Sequence, residues 1–90
     1  MSIYDNKNMK DERLKFLAKN IKAERIRRGL TQAQLAELIM VSERSISQIE
    51  QCRQMPSAFK VFDIASALDI PIEELFKNVP KVNSVCMKQQ

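Results

Sequence analysis

The sequence predicts an all-α fold: a bundle of five helices that contains a helix-turn-helix. The chain of 90 residues has one glycine and three prolines, a composition that suits helices better than β-strands. Apolar residues recur three and four positions apart along most of the chain, as amphipathic helices require. The segment Met40-Val41-Ser42 interrupts this spacing and divides the central stretch into two short helices. Ninety residues are enough for one small helical domain.

The first helix is predicted from about Asp11 to Arg28. Acidic residues favour its N-terminus, and Gly29 ends it where a left-handed residue is needed. Arg25 falls one turn beyond the apolar stripe on the same face, and a buried arginine needs a partner unless it reaches solvent along its own stem. Residues 1–10 are polar and are expected to form a loose arm. The predicted buried stripe consists of Leu14, Leu17, Ala18 and Ile21.

The central stretch, from Thr31 to Gln51, holds the helix-turn-helix. Thr31 is predicted to cap the first of its helices, with Gln34 completing a capping box, and Ser42 to cap the second. Two short helices joined by a tight turn define this motif. Their predicted buried residues are Leu35, Ala36, Leu38 and Ile39 in the first helix, and Ile46 and Ile49 in the second. The outer side of the second helix carries hydrogen-bonding side chains of the kind that read base edges: Glu43, Arg44, Ser45, Ser47 and Gln48.

Two further helices are predicted after the motif. The fourth begins at Pro56-Ser57, with Ser57 as its cap, and runs to about Leu68. The fifth is short, from about Ile72 to Lys77, with Pro71 at its first turn. The predicted domain therefore spans 11–77, between the arm, 1–10, and a tail, 78–90, without clear periodicity. The expected core residues are Ala58, Val61, Ile64, Ala65 and Leu68 in the fourth helix, and Ile72, Leu75 and Phe76 in the fifth.

Composition argues against an enzyme and against a bound cofactor. Cys52 and Cys86 are the only cysteines and there is no histidine, so a structural zinc site lacks ligands. A Cys-His or Ser-His catalytic pair lacks its base for the same reason. No apolar run approaches the roughly 18 residues of a membrane span, and the N-terminus is too polar for a signal peptide. We therefore expect a cytoplasmic protein with no metal site.

The net charge of +4 is unevenly distributed. Residues 10–28 carry eight Lys and Arg against three Asp and Glu, whereas residues 29–76 carry three against seven. A basic balance is compatible with nucleic acid. Because a charged run on one helix is usually a solvated face, the charge alone does not decide the function.

The series RIRRGLTQ, LAELI, SERSISQIE, MPS and IASALDIPIEELF resembles the Cro/cI-type (XRE-family) helix-turn-helix of phage repressors and bacterial regulators. The resemblance extends from about Leu14 to Phe76. It implies a lambda-repressor-like bundle and a sequence-specific regulator, a repressor, that binds double-stranded operator DNA. The alternative is a protein-interaction module, or an antitoxin or controller-type partner protein, built on the same fold. The residues that match the family motif are Gln32, Leu35, Ala36, Ile39, Val41, Ile46, Ile49 and Glu50.

The resemblance also implies roles for particular residues. Arg25 is expected to pair with Glu50 across the bundle. The second motif helix, at about 43–51, is expected to lie in the major groove, where Arg44 contacts guanine and Gln48 contacts adenine. The expected base contacts are Glu43, Arg44, Ser45, Ser47 and Gln48, and the expected phosphate contacts are Gln32, Ser42 and Arg53.

The chain departs from the family pattern at two positions where glycine is usual, Met40 and Cys52. Met40 is expected at positive φ, and the loop from Gln51 to Met55, which contains Cys52, is expected to have an altered shape. Phe59 and Phe62 fall largely off the core stripe of the fourth helix and suggest an interface. Because related regulators pair through this region, we expect a homodimer that uses Phe59, Phe62 and Phe76 and binds an inverted repeat.

Overall fold

Short turns connect the helices of the bundle. The computed structural model describes the backbone of residues 5–81 and the side chains of residues 12–81. Its helices are α1 (Asp5–Arg27), α2 (Gln32–Leu38), α3 (Glu43–Glu50) and α4 (Ala58–Leu68), followed by a 3₁₀ helix (Ile72–Phe76). Residues 5–81 contain no β-strand, so the all-α class is confirmed, but the expected fifth α-helix is a 3₁₀ helix. With only five residues, this segment is short enough for the tighter 3₁₀ form, and the Glu74 N–H donates to the Pro71 carbonyl at 3.0 Å.

Helix α1 begins at Asp5, whereas the sequence predicted a start near Asp11 and a loose arm before it. No glycine or proline separates these two positions, and an acidic residue is favourable at a helix N-terminus. The predicted arm is therefore helical from Asp5, while residues 1–4 lie outside the described part of the chain. The predicted tail, 78–90, is described only as far as Lys81.

Each of the four α-helices ends in a turn of the same type, in which one residue just after the helix adopts the left-handed conformation. The φ angle is 73° at Gly29, 61° at Met40, 64° at Cys52 and 58° at Asp69. At the end of α2, for example, the Met40 N–H donates to the Glu37 carbonyl (3.2 Å) and the Val41 N–H to the Ala36 carbonyl (3.0 Å). This pair of hydrogen bonds defines a Schellman motif. Only the first of these four helix ends has glycine at the left-handed position. The expected positive φ of Met40 is confirmed, although glycine would adopt it with less strain.

One hydrophobic core joins all five helices. Several apolar residues that the sequence placed in it lie at the surface: Leu38 is 57% exposed, and Ala58, Ile72 and Phe76 are also exposed. Leu38 lies at the edge of the α2 stripe, and Ala58 is the first residue of α4. Phe76 comes directly after Leu75, a third of a turn away in a 3₁₀ helix, and so lies away from the side on which Leu75 is buried. The core consists of Leu17, Ile21, Leu35, Ala36, Ile46, Ile49, Val61, Ile64, Ala65, Leu68 and Leu75.

Two polar side chains, one in α1 and one directly after it, donate hydrogen bonds to the C-terminal part of the bundle. The Asn20 side-chain amide donates to the carbonyl oxygens of Leu75 (2.9 Å) and Lys77 (2.8 Å). Arg28 donates to the Asp69 carbonyl at 3.1 Å. These bonds satisfy carbonyl groups at the ends of the 3₁₀ helix and α4 that have no partner within their own helices. None of the helices between residues 5 and 81 has both the length and the apolar composition that crossing a membrane requires.

Candidate nucleic-acid interface

The predicted N-terminal caps of α2 and α3 are both present. The Thr31 hydroxyl accepts from the Gln34 N–H (3.0 Å), and the Gln34 side-chain oxygen accepts from the Thr31 N–H (2.8 Å). This reciprocal pair is the capping box that the sequence predicted. The Ser42 hydroxyl accepts from the Ser45 N–H at 3.0 Å. The two helices of the motif therefore begin where local hydrogen bonding specifies them.

Helix α3 is buried on one side and polar on the other. Ile46 and Ile49 have no exposed surface and hold the helix against the core. Glu43 and Arg44 are exposed, and Ser45, Ser47 and Gln48 are partly exposed. The structure thus brings the five candidate base readers to the surface of one eight-residue helix, about 12 Å long at 1.5 Å per residue. Within residues 12–81, no acidic side chain forms a salt bridge with Arg44.

Ser47 is oriented by a neighbour that the sequence analysis did not select. The Gln51 side-chain amide donates to the Ser47 hydroxyl oxygen at 2.7 Å. Because this bond occupies a lone pair, the hydroxyl hydrogen of Ser47 remains available to donate away from Gln51. The two residues are four positions apart, the spacing at which helical side chains meet, and that spacing was the signal available in the sequence.

The three candidate phosphate residues lie at the ends of the motif helices. Gln32 is the first residue of α2, Ser42 caps α3, and Arg53 follows the turn that ends α3. Ser42 uses its oxygen as an acceptor in the cap and keeps its hydrogen as a donor. At the end of α3, the Cys52 N–H donates to the Ile49 carbonyl (3.1 Å). Cys52 has a φ of 64°, the left-handed conformation that glycine adopts most easily, and the altered shape of the surrounding loop stays a prediction.

Arg25 and Glu50 form a buried ion pair across the bundle. Arg25 Nε donates to Glu50 Oε2 (2.7 Å) and Nη2 donates to Oε1 (3.0 Å), the bidentate geometry that gives such pairs their specificity. Nη1 donates to the Leu30 carbonyl at 2.7 Å. The Glu50 side chain is only 2% exposed, and Arg25 does not extend into solvent. The pair joins the end of α1 to the end of α3, and its main effect is to set the angle between them, since desolvation offsets most of the attraction.

Residues 21–75 match the family model described as helix-turn-helix (HTH_3). The chain belongs to this helix-turn-helix family. The match includes α2, α3, α4 and all but the last residue of the 3₁₀ helix, together with the last two turns of α1. As an XRE-type member of this family, the protein is a DNA-binding transcription regulator.

Solved structures of other proteins share the fold of this regulator. The restriction-modification controller protein C.AhdI from Aeromonas hydrophila is 28% identical with a TM-score of 0.68, over 70% of this chain and 96% of the other. An HTH_3 family transcriptional regulator from Vibrio cholerae is 31% identical with a TM-score of 0.68, over 72% of this chain and 36% of the other. A hypothetical transcription factor from Neisseria, NHTF, is 22% identical with a TM-score of 0.69, over 91% and 88%, and shows similarity of fold alone. No match is found among curated proteins.

The regulator contains one buried charge that the sequence analysis overlooked. Glu24 is nearly inaccessible, and its carboxylate accepts from Arg27 at 2.7 Å. This hydrogen bond, with the attraction between the two charges, raises the pKa of Arg27 above its ordinary value. The spacing Leu17, Ile21, Glu24 places the glutamate on the buried stripe of α1 and was the signal available in the sequence. Glu24 lies outside the candidate interface and stabilises the last turn of α1.

Proposed function

We propose that this regulator is a repressor that reads a specific double-stranded DNA sequence by placing α3 in the major groove. The observation that carries the proposal is the two-sided character of α3. Ile46 and Ile49 anchor the helix, while its outer face carries only hydrogen-bonding side chains. The major groove admits an α-helix and presents a different donor and acceptor pattern for each base pair. A domain bound at an operator would repress by occupying the site that polymerase needs.

Each outer side chain of α3 suits a particular base edge. Arg44 is exposed and presents the fork that pairs with guanine O6 and N7, and Gln48 presents the donor and acceptor that match adenine. Ser47, oriented by Gln51, would donate to an acceptor on a base or phosphate. Glu43 would accept from cytosine N4 and disfavour other bases through repulsion by the phosphates. It also lies in the first turn of α3, where a negative charge is favourable.

Three residues around the motif would hold the DNA backbone. Gln32 and the free N–H groups at the start of α2 would face one phosphate, as helix N-termini commonly do. The Ser42 hydroxyl and the Arg53 guanidinium would contact phosphates at the two ends of α3. These contacts position the helix without reading sequence.

Exposed phenylalanines support a homodimer. Phe59 is 82% exposed and lies one turn from Phe62, on the side of α4 that faces away from the core. Phe76 lines a groove of about 760 Å³ between α1 and the start of α4, with Leu14 and Val61 in its wall. Burying each phenylalanine against a second copy would contribute about 1.5–3 kcal/mol. A two-fold dimer would present two copies of α3 to half-sites about 34 Å apart, on an inverted repeat.

Selection of bound duplexes from a random DNA library, at near-physiological salt, tests the proposal. An enriched inverted repeat is the expected result. The Arg44→Ala variant should lose about 1–3 kcal/mol on the selected duplex and accept other bases at one position. The Gln32→Ala variant should weaken binding to all duplexes equally. If both variants affected every sequence alike, α3 would not be the reading helix.

A protein-interaction module is the second candidate function. The observation that favours it is the exposure of Phe59 and Phe62, together with the acidic balance of residues 29–76. Failure of the library to yield any preferred sequence would support this alternative and leave only salt-dependent, non-specific DNA binding.

A further inference from the structure

We infer that Glu50 is a positioning residue for DNA binding, which orients the side-chain amide of Gln32 so that one of its N–H groups faces a phosphate. This inference rests on the phosphate contact proposed for Gln32 above. It assigns Glu50 a second role beyond its ion pair with Arg25. The juxtaposition that carries it is the meeting of Arg25, Glu50 and Gln32 at the junction of three helices.

Three hydrogen bonds of 2.7–3.0 Å join the side chains of this junction, which is partly buried. Gln32 Nε2 donates to Glu50 Oε1 at 3.0 Å, although the two residues are 18 positions apart. The same oxygen accepts from Arg25 Nη2, and the other carboxylate oxygen accepts from Arg25 Nε. No buried side-chain nitrogen or oxygen between residues 12 and 81 lacks a partner, so each buried polar atom of the junction makes at least one hydrogen bond.

The chemistry of a carboxylate determines which way the Gln32 amide points. An ionised carboxylate only accepts hydrogen bonds, so Gln32 must present its NH₂ group to Glu50 and not its carbonyl oxygen. One N–H is then occupied, and the second N–H remains for another acceptor. If the amide turned over, its carbonyl oxygen would lie where the nitrogen lies now, and an oxygen facing a phosphate is repelled. Arg25 supports this arrangement because its Nε and Nη2 groups donate to both oxygens of the Glu50 carboxylate and hold it in place.

The junction links the backbone contact to the base-reading helix. Gln32 opens α2, Glu50 ends α3, and Arg25 lies near the end of α1. A phosphate held by Gln32 is therefore held at a set distance from the side chains of α3. Because the amide is oriented before DNA arrives, less conformational freedom is lost on binding.

A double-mutant cycle on the selected duplex tests the inference. Gln32→Ala should lower the affinity about tenfold, the equivalent of about 1.4 kcal/mol. Glu50→Gln should lower it by a similar factor, because glutamine no longer dictates the orientation of the amide. The double variant should bind as weakly as Gln32→Ala alone. Glu73→Gln, the same change on an exposed residue of the 3₁₀ helix, is the matched control for lost charge and should leave affinity unchanged.

Two results of the cycle would overturn the inference in distinguishable ways. If Gln32→Ala leaves the affinity unchanged, the proposed phosphate contact fails and the inference fails with it. If Gln32→Ala costs tenfold but the losses from the two substitutions multiply, the phosphate contact stands and Glu50 acts only by holding the fold.

A measurement on the unaltered protein covers the case in which Glu50→Gln does not fold. In ¹⁵N-labelled protein, one of the two Gln32 side-chain amide protons should exchange slowly with water before DNA is added. The same proton should stay protected in the complex while the second becomes protected. Rapid exchange of both protons in the free protein would refute the positioning role.

Discussion

Replacing Met40 with glycine should stabilise the regulator, because Met40 occupies a left-handed turn with little compensating burial. Its φ is 61°, and its side chain is 89% exposed, so removing that side chain loses almost no contact. The left-handed conformation costs a residue with a Cβ about 1–2 kcal/mol. Glycine has more conformational freedom than methionine in the unfolded chain, and this entropy offsets about 0.5–1 kcal/mol of the strain that the substitution relieves. The expected net gain is about 0.5–1 kcal/mol in the free energy of unfolding.

Thermal unfolding would measure this gain as a rise in Tm of about 2–8 °C. In urea, the midpoint of unfolding should rise while the slope of the free energy against urea concentration, the m-value, stays the same. Ala23→Gly is the matched control, because Ala23 is exposed in the interior of α1 and its replacement should cost about 1 kcal/mol. The two hydrogen bonds of the turn involve only backbone atoms, so DNA affinity should not change. If Met40→Gly destabilised the protein as much as the control does, the strain argument would be wrong.

Three further changes test other parts of the structure. Arg25→Ala should cost about 3–5 kcal/mol in urea unfolding, because it leaves the Glu50 carboxylate buried without its cation; a loss below 1 kcal/mol would mean that the carboxylate is hydrated. Asn20→Ala should cost about 1–3 kcal/mol by the same measurement, since two carbonyls at the end of the 3₁₀ helix lose their donor; unchanged stability would show that water replaces the amide. Phe59→Lys should shift the mass measured by light scattering from dimer to monomer, and an unchanged dimer mass would remove Phe59 from the interface.

The features that sequence predicted well are those encoded within a few residues. A capping box is specified by Thr31 and the residue three positions later, and Ser42 caps the helix that follows it directly. Buried aliphatic residues at helical spacing, such as Ile46 and Ile49, locate the core side of α3. The outer polar side of that helix follows by elimination. The all-α class and the helix-turn-helix therefore come from short-range chemistry.

The features that sequence could not predict depend on distant backbone atoms. The Asn20 amide meets the carbonyl of Leu75, 55 positions away, and Arg28 meets the carbonyl of Asp69. Every residue has a carbonyl group, so the identity of the acceptor leaves no trace in the sequence. The Arg25–Glu50 pair is different, because a charged residue on an apolar stripe indicates that some partner must neutralise it. Only the family resemblance indicated that this partner is Glu50. For the hydrogen bond from Gln32 to Glu50, neither the sequence pattern nor the resemblance indicated a partner.

The turns on both sides of α3 explain why the candidate interface depends on the core beneath it. Met40 precedes the helix and Cys52 follows it, and both adopt the left-handed conformation without being glycine. Strain of this kind persists only where the surrounding structure enforces it. Here the enforcing contacts are the burial of Ile46 and Ile49 and the hydrogen bonds of Glu50. Because these residues belong to the one core that joins all the helices, a change that loosens this packing should lower the stability of the bundle and the DNA affinity together.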